Sequence, residues 1–437
     1  MWRPPALAEA RSGGGDERTT VAALADLVDA KVGVIHAIVV ESAETTGLSQ
    51  PVVATAATAD APDGADPANR LPAGWGKGTT PLTAVLSAAG EALERYAASL
   101  PDERRLVRAK LGQLPADQVI DPRSYPLFHE LQYCRPGFPY VRFDPDVTHA
   151  WLPGRWLRDG RPTWIPAVFC YLSLTVEPGQ NFCSGSSNGL AAHTDADEAA
   201  LRAVLELVER DAFLTAWHTR QPGRAVPVDK SWDANLLEIV YGLEHLGGEV
   251  RLVMLPGAGG HPVAACLAFG DGVRWPGVVL GLGADPCPRA AIRKAVLELG
   301  QTGPYLRNQL RSRAPIPDCP HGVREMIDHA HYYFPPRRAA AFAFLRQASE
   351  SIRYADLGTL PERSLQACGR RLEDAGVRVL LADVTSPDLA LTPFRVVRAV
   401  SPDLQPISFG FGTERALTPA LAARAVPMSD EWISPIW

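Results

Sequence analysis

The sequence predicts an α+β fold in which mixed sheets pack against helices, and three observations carry that prediction. Runs rich in β-branched residues, such as 32–40 (VGVIHAIVV) and 377–384 (VRVLLADV), interleave with helical patterns without strict alternation. One acidic helical pattern is written three times along the chain. Apolar residues make up 46% of the 437 and charged residues 21%, a balance that lets a globular chain bury a core.

Taken in order, residues 1–20 read as a mobile tail and 21–27 as a short helix. Residues 32–40 and 52–57 follow as two strands that can pair, and then a polar, Pro- and Gly-broken loop. Residues 74–81 (GWGKGTTP) read as a Gly-rich loop entering a helix, with Thr80 as N-cap and Pro81 in the first turn. Such a loop suits an anion. It is not a Walker A loop, because Gly78 follows Lys77 where that pattern needs Ser or Thr. Residues 163–175 read as a buried strand, and 181–193 (NFCSGSSNGLAAH) as a small-residue loop whose Ser187 and Asn188 can bond a ligand. Thr194 and Asp197 resemble a capping box. Residues 250–255, 263–269 and 278–283 read as strands, 318–350 as patchy helix, and 377–384 and 394–400 as further strands. Residues 21–415 form one expected catalytic unit, and 416–437 a C-terminal tail.

The repeated helix is the main functional signal. In residues 198–213 (EAALRAVLELVERDAF), Leu201, Val204, Leu205 and Val208 form an apolar face, and Glu198, Arg202, Glu206 and Glu209 a polar one. Residues 83–97 place Glu91, Glu94 and Arg95 in the register of Glu206, Glu209 and Arg210. Residues 290–305 place Glu298 and Gln301 there. Carboxylates one helical turn apart repel, and bringing such helices together worsens the repulsion unless cations lie between them. Magnesium takes oxygen ligands and keeps sites open for phosphate oxygens. The pattern therefore predicts a magnesium–nucleotide site lined by three related helices.

Composition excludes several classes. The net charge of −6 offers no basic footprint for nucleic acid, and no apolar run is long enough to span a bilayer. The N-terminus lacks the apolar segment of a secretory signal. Seven scattered cysteines, none in a C-x-x-C pair, indicate reduced thiols in the cytoplasm and no structural zinc. His329 and His331 are too close in sequence to share a helical face, and count as structural or surface residues.

Four ordered landmarks resemble the YcaO family. They are GKG followed by S-x-x-x-E-x-x-E-R (Lys77, Ser87, Glu91, Glu94, Arg95); SNGLA followed by a helix ending E-x-x-E-R-D-A (Ser187, Asn188, Glu198, Glu206, Glu209, Arg210, Asp211); GLGADP followed by a helix with Glu298 and Gln301; and DVTSPD followed by PDLQPISFG. The resemblance covers residues 30–415. It implies an enzyme using ATP and Mg2+ to phosphorylate the oxygen of a peptide backbone amide, in the biosynthesis of a ribosomally made, modified peptide. The favoured outcome is cyclodehydration of Cys, Ser or Thr to a thiazoline or oxazoline. A thioamide, a macrocyclic amidine, or a non-catalytic nucleotide-binding accessory role are the alternatives.

By resemblance, Lys77, Ser87, Arg95, Asn188, Glu198, Arg210 and Gln301 bind nucleotide, and Glu91, Glu94, Glu206 and Glu209 face the metals. No general base is assigned. The expected partners are a precursor peptide and a separate leader-peptide-binding protein, ThiF-like or TfuA-like, because no fused clamp domain is expected before the matched region. A homodimer is expected from the prevalence of twofold assemblies. Many azoline-forming relatives end in Pro-x-Pro-x-Pro near the active site; this chain ends ISPIW, so the tail is not expected to contribute in the usual way.

Overall fold

Gly76 shows how the first sheet and its helix dock. In the computed structural model, which describes residues 15–58, 74–358 and 362–436, the segment predicted to be an anion loop is a strand, β3 (Gly74–Gly78). A Cβ added at Gly76 would lie 2.0 Å from the backbone nitrogen of Ala88, so only glycine lets strand and helix approach so closely. The glycines of this stretch serve packing, while Lys77 is left on the alternate face. Strand β3 closes an antiparallel sheet with β1 (Ile35–Val40) and β2 (Val52–Thr58), in the order β1-β2-β3.

The helix before this sheet, α1 (Gly15–Leu27), begins earlier than residue 21. The helix on the sheet is α2 (Pro81–Ser99). Thr80 caps it as predicted, accepting from the Thr83 amide while Thr83 returns the bond, and Pro81 occupies the first turn.

A second sheet runs β4 (Val107–Ala109), β5 (His149–Trp156), β12 (Leu380–Asp383), β13 (Arg395–Val400), β7 (Leu190–His193), with β6 (Pro162–Pro166) paired to β5. The predicted strand at 163–175 is thus shorter than expected. After Pro166 the chain turns into one buried helical turn, Ala167–Cys170. A third sheet runs β11 (Val278–Ala284), β10 (Pro262–Phe269), β9 (Glu249–Pro256), β8 (Arg224–Ala225). Every ladder in the three sheets is antiparallel.

The central helix, α3 (Ala196–Thr219), lies between the second and third sheets, touching β7 and β13 on one side and β9 to β11 on the other. Fourteen of its residues are buried, which explains why it needs apolar residues on more than one face. Its N-cap is Asp195, which accepts from the amides of Asp197 and Glu198; the predicted Thr194–Asp197 box does not form. Helix α4 (Ala234–His245) and the third acidic helix, α5 (Pro288–Arg311), cover the third sheet. Helix α5 meets β11 by the same glycine device, since a Cβ at Gly283 would lie 2.2 Å from the Ala291 carbonyl. The predicted helical region 318–350 resolves into short turns, the longest regular one being α6 (Met326–Tyr332). Helix α7 (Leu365–Asp374) packs beside α3. Each acidic helix thus sits on a different sheet surface, and the fold brings their polar faces together.

Candidate nucleotide and metal site

The polar faces of α2, α3 and α5 converge on one cavity of about 760 Å³, within the roughly 300–1,000 Å³ range of small-molecule sites. Eight of the eleven predicted site residues line it: Lys77, Ser87, Glu91, Glu94, Arg95, Glu206, Arg210 and Gln301. Lys77, on β3, reaches Glu298 of α5 at 3.6 Å. Arg210 of α3 lies 3.3 Å from Glu209 and 3.9 Å from the same Glu298. On α2, Glu91 pairs with Arg95 and accepts the Trp75 amide at 3.0 Å. Glu94 accepts the Ala192 amide at 2.9 Å, which ties α2 to β7.

The electrostatics of this cluster are unfavourable for bare carboxylates. Burial pushes the Glu94 carboxyl well above its ordinary range, and the neighbouring charges of Glu91 and Glu206 add to the effect. Burial raises Glu206 to about 7 and Glu209 above its usual range; Arg210 opposes both shifts, whereas Glu209 adds to the first and Glu298 to the second. Burial also works against the charge of Arg210, but Glu209, Glu298 and Glu206 outweigh it and hold it protonated. Carboxylates in this condition are satisfied by a proton or by a cation.

Three predicted residues do not line the cavity. Glu198 is drawn into a surface network, bonded by Arg363 at 2.7 and 2.8 Å and by Arg202 at 2.8 Å. Although burial opposes ionisation, those arginines lower its carboxyl to about 2. Glu209 is buried beneath Arg210. Asn188 lines a separate, smaller cavity.

Other wall residues had weaker sequence signals. Thr20 of α1 lines the cavity and shares a 3.1 Å hydroxyl contact with Thr194. Pro435 and Ile436 of the C-terminal segment line it as well, although the segment lacks the Pro-x-Pro-x-Pro ending. Four consecutive residues anchor the tail. Tyr332 donates to the Glu431 carbonyl at 2.8 Å, the Arg220 guanidinium lies 4.5 Å over the Trp432 ring, Tyr333 donates to the Ile433 carbonyl at 2.5 Å, and His329 Nδ1 meets the Ser434 carbonyl at 2.7 Å. The Gly410 amide donates to His329 Nε2 at 3.0 Å. These partners require a neutral ring protonated at Nδ1, which agrees with the burial that lowers its pKa. Ile433 and Ile436, both buried, were the available signal at the end of the chain.

The donor set fits a magnesium-bound triphosphate. Oxygen ligands, clustered carboxylates and nearby cationic side chains are what such a ligand needs. Among the described residues the Gln301 side-chain nitrogen is buried without a partner, as a donor reserved for a ligand would be. Gly90 faces open space on the cavity wall, leaving room beside the carboxylates. Among the described residues no three His, Cys, Asp or Glu side chains form a ready cage. Magnesium, which keeps several waters and takes phosphate oxygens, does not need one.

An α+β scaffold that gathers three acidic helices around one nucleotide-sized cavity defines a nucleotide-and-metal-binding protein. The chain belongs to the YcaO family: the profile described as "YcaO cyclodehydratase, ATP- and Mg2+-binding" matches residues 75–405. ATP and Mg2+ are therefore its cofactors. Solved structures share the fold. A heterocyclase in complex with substrate and cofactor superposes with a TM-score of 0.77 at 21% identity over 97% of this chain, which spans 57% of that structure's length. YcaO from Methanopyrus kandleri bound with AMPPCP and Mg2+ gives 0.62 at 21% identity, covering 85% of this chain and 86% of that one. A chain of the E. coli microcin synthetase McbBCD complex with pro-MccB17 bound gives 0.57 at 17% identity, covering 84% and 88%. Among the described residues no helix is long and apolar enough to cross a membrane.

Proposed function

We propose that the chain activates a peptide backbone amide by ATP-dependent phosphorylation of its oxygen, and that a Cys, Ser or Thr side chain closes onto the activated carbon to give a thiazoline or oxazoline. The convergence of eight predicted residues from three helices and β3 on one cavity carries this reading. Magnesium, when bound, neutralises the triphosphate and polarises the transferred phosphoryl group. Glu94 and Glu206 would hold the metal, which would relieve the charge that burial opposes. Glu91 holds Arg95, and Glu209 holds Arg210, so both guanidiniums stay aimed at phosphate oxygens. Lys77 shifts from Glu298 to the triphosphate, and Gln301 donates from the buried side. Phe394, Ile407, Phe409, Pro435 and Ile436 form an apolar wall that receives the peptide and limits water at the activated amide. Phosphoryl transfer depends on this positioning and charge neutralisation more than on covalent help from the protein.

A separate leader-peptide-binding protein, ThiF-like or TfuA-like, delivers the precursor peptide, and the chain works as a homodimer. The microcin synthetase chain, similar in fold and in extent, belongs to a complex with pro-MccB17 bound, which supports delivery by a partner. The test mixes the protein, a candidate precursor, the partner and Mg-ATP. Peptide-dependent phosphate release with loss of one water mass per site is expected. A mass gain from exchange of oxygen for sulfur would replace the ring reading with thioamidation. Absence of peptide-dependent phosphate release in the complete mixture would favour the accessory role.

A further inference from the structure

Behind the apolar wall lies a second cavity of about 70 Å³, and Ile407 lines both. A buried water occupies about 10–15 Å³ by this measure, so the space holds about five water-sized atoms, the size of a tetrahedral oxyanion. Among the described residues no Asp or Glu lines it, whereas Arg398 and Arg415 both do. Arg398 projects from β13, an interior strand of the second sheet, and is 5% exposed. It donates from Nη1 to the Ser186 carbonyl at 2.6 Å, and its Nε has no partner. Arg415 donates to the Pro126 carbonyl at 2.7 Å and to the Cys183 sulfur at 2.6 Å. Among the described residues neither guanidinium has a carboxylate within 4.0 Å.

The nearby thiols supply no counter-charge. Burial pushes Cys170 up to about 12 and raises Cys183, so both stay neutral. Glu206, the carboxylate whose field reaches Arg398, is engaged on the nucleotide side. An uncompensated guanidinium on an interior strand is strongly unfavourable and cannot extend to solvent. Two more buried polar atoms of the same cavity lack partners, the Tyr125 hydroxyl and the Asn188 side-chain oxygen. The assigned orientation of an amide can be reversed, which would present the Asn188 nitrogen instead.

We propose that this cavity binds a tetrahedral oxyanion, held between Arg398 and Arg415 with Tyr125 and Asn188 as further donors, and that its occupant is inorganic phosphate. The choice of phosphate rests on the proposed reaction, which releases it; the oxyanion pocket itself does not. The other source of the same chemistry is the terminal phosphate of the nucleotide reaching past Ile407.

The test titrates inorganic phosphate into the full chain without peptide, with and without saturating Mg-AMPPCP, reading thermal shift and calorimetry. Expected is saturable binding that persists beside the analogue and weakens at least about tenfold in Arg398→Met. Tyr125→Phe, which removes one hydroxyl from a site of unchanged shape, should weaken it less, and it supplies the comparison if Arg398→Met does not fold. A selenate-soaked crystal should show anomalous density between the two guanidiniums. Competition between phosphate and the analogue would assign the anion to the nucleotide and overturn the separate pocket. No binding, or only water between the arginines, would overturn it outright. Because no peptide is used, these outcomes are independent of whether the ring-forming reaction is correct.

Discussion

Replacing Glu206 with Gln should make the free protein more stable and the enzyme nearly inactive. The carboxyl of Glu206 is raised from its ordinary value of 4.5 to about 7, chiefly by burial. A raised folded-state pKa means that the folded protein holds the proton more tightly than the unfolded chain. The stability from that proton is complete below pH 4.5 and is lost as pH rises through 7. At pH 8 the full loss would be about 3 kcal/mol, and because Glu206 keeps contact with the cavity we take about 2 kcal/mol. Gln keeps the shape but carries no charge, so it removes this loss. At ~2.1 cal/mol/K per residue over 437 residues, 2 kcal/mol raises Tm by about 2 °C. The same substitution removes the carboxylate proposed to face the metal and should lower Mg-ATP turnover by about 10²-fold or more. Scanning calorimetry of the nucleotide-free protein at pH 5 and pH 8, with phosphate release measured alongside, checks both parts. The gain in Tm should be full at pH 8 and fall to about a quarter of that at pH 5. Unchanged turnover, or a Tm that falls at pH 8, refutes the reasoning.

Lys77→Met should raise the KM for ATP by about tenfold with little change in Tm, since it removes one charge-assisted contact to phosphate while its Glu298 pair is part-exposed; steady-state kinetics decide this. Gly76→Ala should destabilise by about 3 kcal/mol or more, because its methyl group would meet the Ala88 backbone, whereas Gly90→Ala should stabilise by about 1 kcal/mol because it faces open space in mid-helix; urea denaturation separates the two. His329→Leu should free the C-terminal segment by removing both its Ser434 and Gly410 bonds, lowering activity and exposing the tail to protease. His329→Gln, which can both donate and accept, should restore much of that loss, and truncation after Glu431 should not add to the Leu defect if His329 acts through the tail.

Much of the site could be read along the chain because acidic residues at helical spacing leave a local, periodic mark. Glu91 and Glu94, Glu206 and Glu209, and Glu298 with Gln301 each sit one turn apart, and helix geometry alone places such pairs on one side. The capping of α2 by Thr80 was local in the same sense. What misled was also local. The glycines of 74–78 suited an anion loop, yet they serve strand–helix contact, a requirement set by Ala88 on the following helix. Glu198 shares the acidic stripe, but Arg363, distant in sequence, draws it into an ion-paired network. The tail carried no recognised motif, and its place on the cavity wall depends on His329, Tyr332, Tyr333 and Arg220.

The amino-acid order by itself determined which helices carry the carboxylates, where α2 begins and which faces are polar, because helix periodicity and capping act over a few residues. The three faces meet around one cavity as the repeat predicts, and only the tertiary structure decided that Asn188 belongs to another and that the C-terminal segment closes the wall. Those outcomes depend on sheet pairing, hydrogen bonds and ion pairs between residues far apart in sequence.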